Sequence, residues 1–145
     1  MFGPVEIVAG ELEIREFGPR DTAQVAAFVA AGEVSALPPG FPGDVAEVGA
    51  WLAEGVHQRR LSGEGVHLVL VAGGEIVGSA GLRETDWDAG CTEIGYGVRA
   101  DRRGRGFATV AAGAVARWAL TGGGLRRVLL HARLDNVASV RVAER

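Results

Sequence analysis

Apolar and charged residues alternate from Glu11 to Phe17, with Leu12, Ile14 and Phe17 set against Glu11, Glu13 and Arg15. This period of two predicts a half-buried strand. Pro19-Arg20-Asp21-Thr22 then opens a helix with Val25, Phe28 and Val29 on one face, and Pro38 and Pro39 are expected to break it. A second helical stretch is expected from about Asp44 to Arg60, carrying Val45, Val48, Trp51, Leu52 and Val56. Strands follow over Val66 to Ala72 and Glu75 to Arg83, joined by Gly73-Gly74, a two-residue hairpin turn in which glycine accepts positive φ. Thr85 to Gly90 reads as a polar loop and Thr92 to Arg99 as another strand.

After Asp101 the period lengthens from two to nearly four. Phe107, Val110, Ala111, Ala114, Val115 and Trp118 form one stripe of a helix that ends at Gly122-Gly123-Gly124. Arg126 to Arg133 is a last strand, and Asn136 to Arg145 starts a helix. Three consecutive strands on short turns favour antiparallel pairing. The strand–helix–strand unit near the end calls for a right-handed crossover between parallel strands. The expected fold class is α/β (α+β), a mixed, mostly antiparallel sheet with helices on both faces.

Composition narrows the setting. A chain of 145 residues suggests one domain, and a hydrophobic fraction of 48% is enough for a genuine core. Apolar runs fall short of the roughly 20 residues needed to span a bilayer, and Met1-Phe2-Gly3-Pro4 has none of the marks of a signal peptide. Cys91 is the only cysteine, so no internal disulfide forms. The expectation is a cytoplasmic protein without a membrane partner. Net charge is −3, which argues against a polyanion binder. Four arginines, Arg99, Arg102, Arg103 and Arg105, nevertheless sit almost side by side. Without neighbouring aromatics or a basic domain they make a poor nucleic-acid footprint, and no nucleic acid is expected as a partner.

Between Val98 and Thr109 a strand runs into a glycine-bearing loop that leads straight into a helix. The first turn of such a helix offers unpaired backbone N–H groups and a partial positive charge. Gly104 and Gly106 allow close approach to the backbone, and Arg103 and Arg105 add full charges. The pattern is a phosphate cradle made mainly of backbone donors.

The loop Arg103-Gly104-Arg105-Gly106-Phe107-Ala108-Thr109 resembles the Arg/Gln-x-x-Gly-x-Gly/Ala signature of the GNAT acetyltransferase superfamily, through Arg103, Gly106 and Ala108. The strand Thr92-Glu93-Ile94-Gly95-Tyr96-Gly97-Val98 looks like the fourth strand of its RimJ/RimL-type branch. The segment from Asn136 to Glu144 resembles that branch's Asn-x-x-Ser helix start, and Leu12-Glu13-Ile14-Arg15 with Arg20-Asp21 are in keeping. The resemblance covers nearly the whole chain, taken as one domain over residues 1–145, and implies a GNAT-like fold.

It also implies roles. The amides of Gly104, Arg105, Gly106, Phe107, Ala108 and Thr109 would hold the pyrophosphate of acetyl-CoA as co-substrate. Pantetheine would lie where the strand ending at Val98 splays from the strand starting near Arg126, and Asn136 would touch the cofactor from the far side. The acceptor is a primary amine, either a protein N-terminal α-amine or a small-molecule amine. An amine with a pKa of about 8 to 10 is mostly protonated at neutral pH, so a base must take a proton, directly or through water. Glu93 is the candidate. A strand N–H near Tyr96 to Val98 would donate to the tetrahedral oxyanion. Ser139, in place of the tyrosine many superfamily members carry on the last helix, would face the departing sulfur.

Each residue has a plainer alternative. Glu93 also reads as a solvated strand carboxylate, and Asn136 and Ser139 as helix caps. Cys91 reads as an inert thiol. His57, His67 and His131 lack metal-ligand spacing, so no metal is expected. Trp51 and Trp118 read as core, whereas Trp87 reads equally as acceptor-pocket wall or core. The acceptor would be set by the loops around Ala36 to Gly43 and Asp86 to Gly90. The chain closes on Val142-Ala143-Glu144-Arg145, where the resembled branch continues into a turn and two more strands. The expectation is a C-terminally incomplete domain, best read as a fragment. A homodimer covering the bare edge and a shortened inactive gene are the alternatives, and the second function class is a CoA-binding or interaction module without catalysis.

Overall fold

A computed structural model of the chain describes residues 5–32, 37, 38, 41–102, 104 and 106–130. Among these residues six strands form one sheet in the order β1-β2-β3-β4-β5-β6. The strands are β1 (Glu6–Ala9), β2 (Leu12–Glu16), β3 (Val66–Ala72), β4 (Glu75–Asp86), β5 (Cys91–Val98) and β6 (Arg127–Leu130). The first four pairings are antiparallel, and β5 pairs β6 in parallel from Cys91↔Arg127 to Ile94↔Leu130. The mixed, mostly antiparallel sheet is therefore as expected, and the parallel pair is the one spanned by a helix.

The helices are α1 (Thr22–Ala31), α2 (Val48–Ala53), α3 (Gln58–Ser62) and α4 (Phe107–Leu120). They divide the core in two. On one face, Leu12, Ile14, Leu68, Leu70, Leu82, Ile94 and Val98 pack with Phe107, Ala111, Val115 and Ala119 of α4. On the other, Phe17, Val69, Val71 and Ile76 pack with Val25 of α1 and Val48 and Leu52 of α2. Alternate residues of β3 thus serve opposite cores, which is why Val66–Ala72 is apolar almost throughout. Among the described residues, no helix is long and apolar enough to cross a membrane.

Several local expectations are corrected. The strand β1 was not legible. It is four residues long with Val8 facing outward at 79% exposure, so its pattern is too short and too weakly amphipathic to read. The helix α1 ends at Gly32, whose φ of 71° makes a left-handed cap, and not at Pro38 and Pro39. The stretch from Asp44 to Arg60 is not one helix. It breaks at Glu54 and Gly55 into α2 and α3, each led by a 3₁₀ turn. The expected loop from Thr85 is partly strand: β4 continues to Asp86 through an irregularity between Arg83 and Asp86, where Glu84 has a φ of 49°. On α4, Val110 is exposed, while Ala112 and Ala119 are buried. The small alanines centre the buried stripe, and weighting it by the large residues placed it too far round. The Gly73-Gly74 turn is as expected, with φ of 59° and 81° between the paired Ala72 and Glu75. The last expected strand is described as far as Leu130, and the helix expected from Asn136 lies outside the described residues.

Candidate functional site

The end of β5 delivers the chain to α4 through a 3₁₀ turn, Ala100–Arg102, and the glycines Gly104 and Gly106. Both glycines have left-handed φ, 82° and 79°. A side chain at either would strain the backbone although each faces open space, since a Cβ there meets nothing within 4 Å. Gly106 is the N-cap of α4 and supplies no side-chain cap. The first capping bond runs from the Val110 N–H to the Gly106 carbonyl at 3.0 Å. The amides of Phe107, Ala108 and Thr109 come before it, and among the described residues they have no acceptor. A helix of 14 residues therefore points three backbone donors and the positive end of its dipole at the loop. The Phe107 side chain is buried in the core at 4% exposure, so only its amide is available to a ligand. Arg103, Arg105, Asn136 and Ser139 lie outside the described residues.

The strand β5 presents two unlike faces. Thr92, Ile94 and Val98 are buried, with Ile94 and Val98 in the core beneath α4 and Tyr96 packed against it. The Tyr96 hydroxyl is buried without a hydrogen-bond partner among the described residues. Cys91, Glu93, Gly95 and Gly97 form the opposite face and are half-buried. Beyond Ile94, β5 is paired on its β4 side among the described residues, with Gly78↔Val98 the last pair. Glu93 and Val98 are five residues apart on one extended strand, about 17 Å. The carboxylate candidate thus lies upstream on the strand that leads into the glycine loop.

Glu93 has a partner that the sequence did not reveal. Arg83, opposite it on β4, donates from Nε and Nη2 to Glu93 Oε1 at 3.2 and 2.7 Å. The carboxylate is the more buried of the two, with its side chain 14% exposed against 44% for Arg83. The only advance sign was that Arg83 is the first charge after the apolar run of β4. Trp87 is half-exposed and its indole N–H donates to the Gly63 carbonyl at 2.8 Å, which holds the Trp87–Gly90 turn against the end of α3.

On the α1 side, Arg15 Nη1 and Nη2 donate to Asp21 Oδ2 and Oδ1 at 2.9 and 2.7 Å. Asp21 Oδ2 also accepts the Gly18 N–H at 2.9 Å. The hydrogen bonds to Asp21 raise the Arg15 pKa above its ordinary value, against the opposing effect of burial. This pair is structural: it fixes the turn from β2 into α1.

The model of the acetyltransferase (GNAT) domain family matches residues 11–145. Among curated proteins none matches this sequence. Solved structures share the fold. Mycobacterium smegmatis RimJ, in complex with CoA-disulfide, is 24% identical with a TM-score of 0.75, over 98% of this chain and 72% of that chain. RimL, the ribosomal L7/L12 alpha-N-protein acetyltransferase, in complex with coenzyme A, is 18% identical with a TM-score of 0.79, over 95% of this chain and 80% of that one. A Salmonella typhimurium acetyl transferase that modifies the N-terminal serine of 50S ribosomal subunit protein L7/L12 is 18% identical with a TM-score of 0.74, over 95% and 80%. At these identities the likeness is one of fold.

Proposed function

This chain belongs to the GNAT acetyltransferase family, and on that premise we propose that it moves the acetyl group of acetyl-CoA to a primary amine, a protein N-terminal α-amine or a small-molecule amine. The observation that carries the reading is the uncapped start of α4, where Gly104 and Gly106 leave the amides of Phe107, Ala108 and Thr109 open to an anion. The pyrophosphate of acetyl-CoA suits such a cradle, with Arg103 and Arg105 adding charge and Asn136 a contact from the far side. Pantetheine then follows β5 back from Val98 toward Glu93.

In this reading the neutral amine attacks the thioester carbonyl carbon. Glu93 takes the amine's proton, directly or through water, and Arg83 holds the carboxylate in place. A β5 backbone N–H near Tyr96 donates to the oxyanion. The carbon–sulfur bond breaks as the tetrahedral intermediate collapses, and Ser139, facing the sulfur, donates a hydrogen bond to the CoA thiolate, which takes its proton from water. That the Salmonella relative modifies a protein N-terminal serine supports an α-amine as acceptor. The Trp87–Gly90 turn would form part of the acceptor's surroundings. A second reading, a CoA-binding or interaction module without catalysis, draws on the same ion pair, because a carboxylate gripped by a guanidinium is a hindered base.

Titration with acetyl-CoA, followed by an assay for amine-dependent release of free CoA thiol, separates these readings. Micromolar binding, roughly −8 kcal/mol, with thiol release is the expected result. Binding without release from any amine favours the second reading, and absence of binding by folded protein overturns both.

A further inference from the structure

The clustered arginines are only partly explained by a phosphate cradle. Arg99 and Arg102, the two among the described residues, are both committed to protein groups. The Arg99 N–H donates to the Val77 carbonyl at 2.8 Å, its Nη1 to the Ile76 carbonyl at 3.3 Å and its Nη2 to Asp101 Oδ2 at 2.9 Å. Its guanidinium also lies 5.2 Å from the centre of the Phe28 ring on α1. The Arg102 N–H donates to the Arg99 carbonyl at 2.9 Å, and its Nη2 donates to Glu75 Oε2.

The receiving end is shaped for this. The ladder between β3 and β4 shifts register at Leu70 and Val71, so Val77 is the extra residue between Ile76 and Gly78. Its carbonyl is the one that Arg99 takes. The adjoining turn is fixed from α1, where Gln24 donates from Nε2 to the Gly74 carbonyl at 3.1 Å and accepts the Ile76 N–H at 2.8 Å. A rigid corner of the sheet thus faces the link between β5 and α4.

The glycine loop needs such a corner. Gly104 and Gly106 have no side chains to hold them, and a Cβ at either would touch nothing. Among the described residues, the side chains that can fix their geometry lie on the flanks. On the α4 flank the buried Phe107 anchors the loop. On the β5 flank the anchors are Arg99 and Arg102.

We infer that Arg99 and Arg102 are positioning residues for the cofactor loop, with the Arg102–Glu75 ion pair setting the pose in which the α4 amides meet the phosphates of acetyl-CoA. The inference rests on the reading that this loop binds acetyl-CoA. A loop already held in its bound form loses less freedom when the ligand arrives, so the pair acts on affinity and not on chemistry.

The test measures CoA affinity by calorimetry, with kcat, KM for acetyl-CoA and Tm, in wild type, Arg102→Gln, Glu75→Gln and the charge swap Glu75→Arg with Arg102→Glu. Each single variant is expected to weaken CoA binding and raise KM for acetyl-CoA about 5- to 10-fold, with kcat within about twofold. The swap is expected to recover most of the loss. Glu75 is half-exposed at the start of β4, so Glu75→Gln carries the test if the Arg102 variants fail to fold. Wild-type affinity in Glu75→Gln overturns the inference, because an Arg102 that touched phosphate directly would lose nothing when Glu75 is neutralised. A swap as weak as the single variants also overturns it. Wild-type protein that binds no CoA removes the cofactor reading itself, and this inference with it.

Discussion

Arg83 and Glu93 face each other across β4 and β5, and two nitrogens of the guanidinium converge on one carboxylate oxygen at 3.2 and 2.7 Å. The arginine is the exposed partner, so its loss has little consequence for stability, on the order of 1 kcal/mol or less. Its loss does release the carboxylate from a fixed direction. Arg83→Met is therefore expected to lower kcat about tenfold while leaving CoA affinity unchanged, and Glu93→Gln to lower kcat by about a hundredfold or more. The double variant should be no slower than Glu93→Gln alone, since Arg83 acts through Glu93. Steady-state kinetics beside calorimetric titration checks this. Equal losses of rate and CoA affinity in Glu93→Gln would sink the assignment of Glu93 as base.

Gly106 joins two demands, a left-handed backbone at φ 79° and an open approach to the α4 amides. Gly106→Val is expected to weaken CoA binding at least tenfold through both. Gly10→Val separates the two causes. Gly10 has a similar φ of 60° in the turn between β1 and β2, again with open space around it. That variant should lose stability by about 1–2 kcal/mol and keep wild-type CoA affinity. Unchanged affinity in Gly106→Val would place the phosphates elsewhere.

The parts of the fold and site that were legible are those where one local signal suffices. The change of period after Asp101 located α4, paired glycines located the β3–β4 turn, and glycines before an apolar stripe located the loop that enters α4. What was not legible depends on register and on small residues. The Arg83–Glu93 pair follows from an antiparallel register that slips just beyond it, between Arg83 and Asp86. The anchoring of Arg99 follows from a bulge at Val77 on another strand. The helix that the apolar spacing carried through breaks at Glu54 and Gly55, and Ala112 and Ala119 were buried in place of Val110. A cluster of arginines read as one feature proved to have at least two members with partners of their own.

Asp21 is buried with two guanidinium bonds and a backbone N–H on its carboxylate. Removing its charge leaves Arg15 buried beside a weaker acceptor, so Asp21→Asn is expected to destabilise the fold by about 3 kcal/mol, measured by urea unfolding. Replacing both partners, as Arg15→Met with Asp21→Leu, should cost less than this single change. The pH dependence follows from the raised Arg15 pKa, caused first by its hydrogen bonds to Asp21. A cation whose pKa is higher folded than unfolded stabilises fully below the unfolded value, and loses that contribution only as pH climbs through the folded one. The Arg15 contribution should thus be flat through neutral pH and fade only in strong alkali. A contribution that faded near neutrality would show that the pair is not held as described.

Gly78 lies on β4 against the end of β5, beside the candidate site. A Cβ there would sit 2.3 Å from the Gly97 carbonyl oxygen and 3.1 Å from the Val98 Cα, both backbone atoms that cannot swing aside. Gly78 also pairs with Val98, the last residue of β5 before the glycine loop. Gly78→Ala must push the end of β5 outward, at a cost of about 1–3 kcal/mol for overpacking, and carry Val98 and the start of the loop with it. The expected result is a lower Tm together with weaker CoA binding. Gly81→Ala is the comparison, because its Cβ would meet the Val66 carbonyl oxygen at 2.7 Å, on the β3 side and away from the loop. That variant should lose stability while CoA affinity in the folded fraction stays near wild type. Equal affinity in the two variants would mean that the seat of β5 on Gly78 does not govern the cradle.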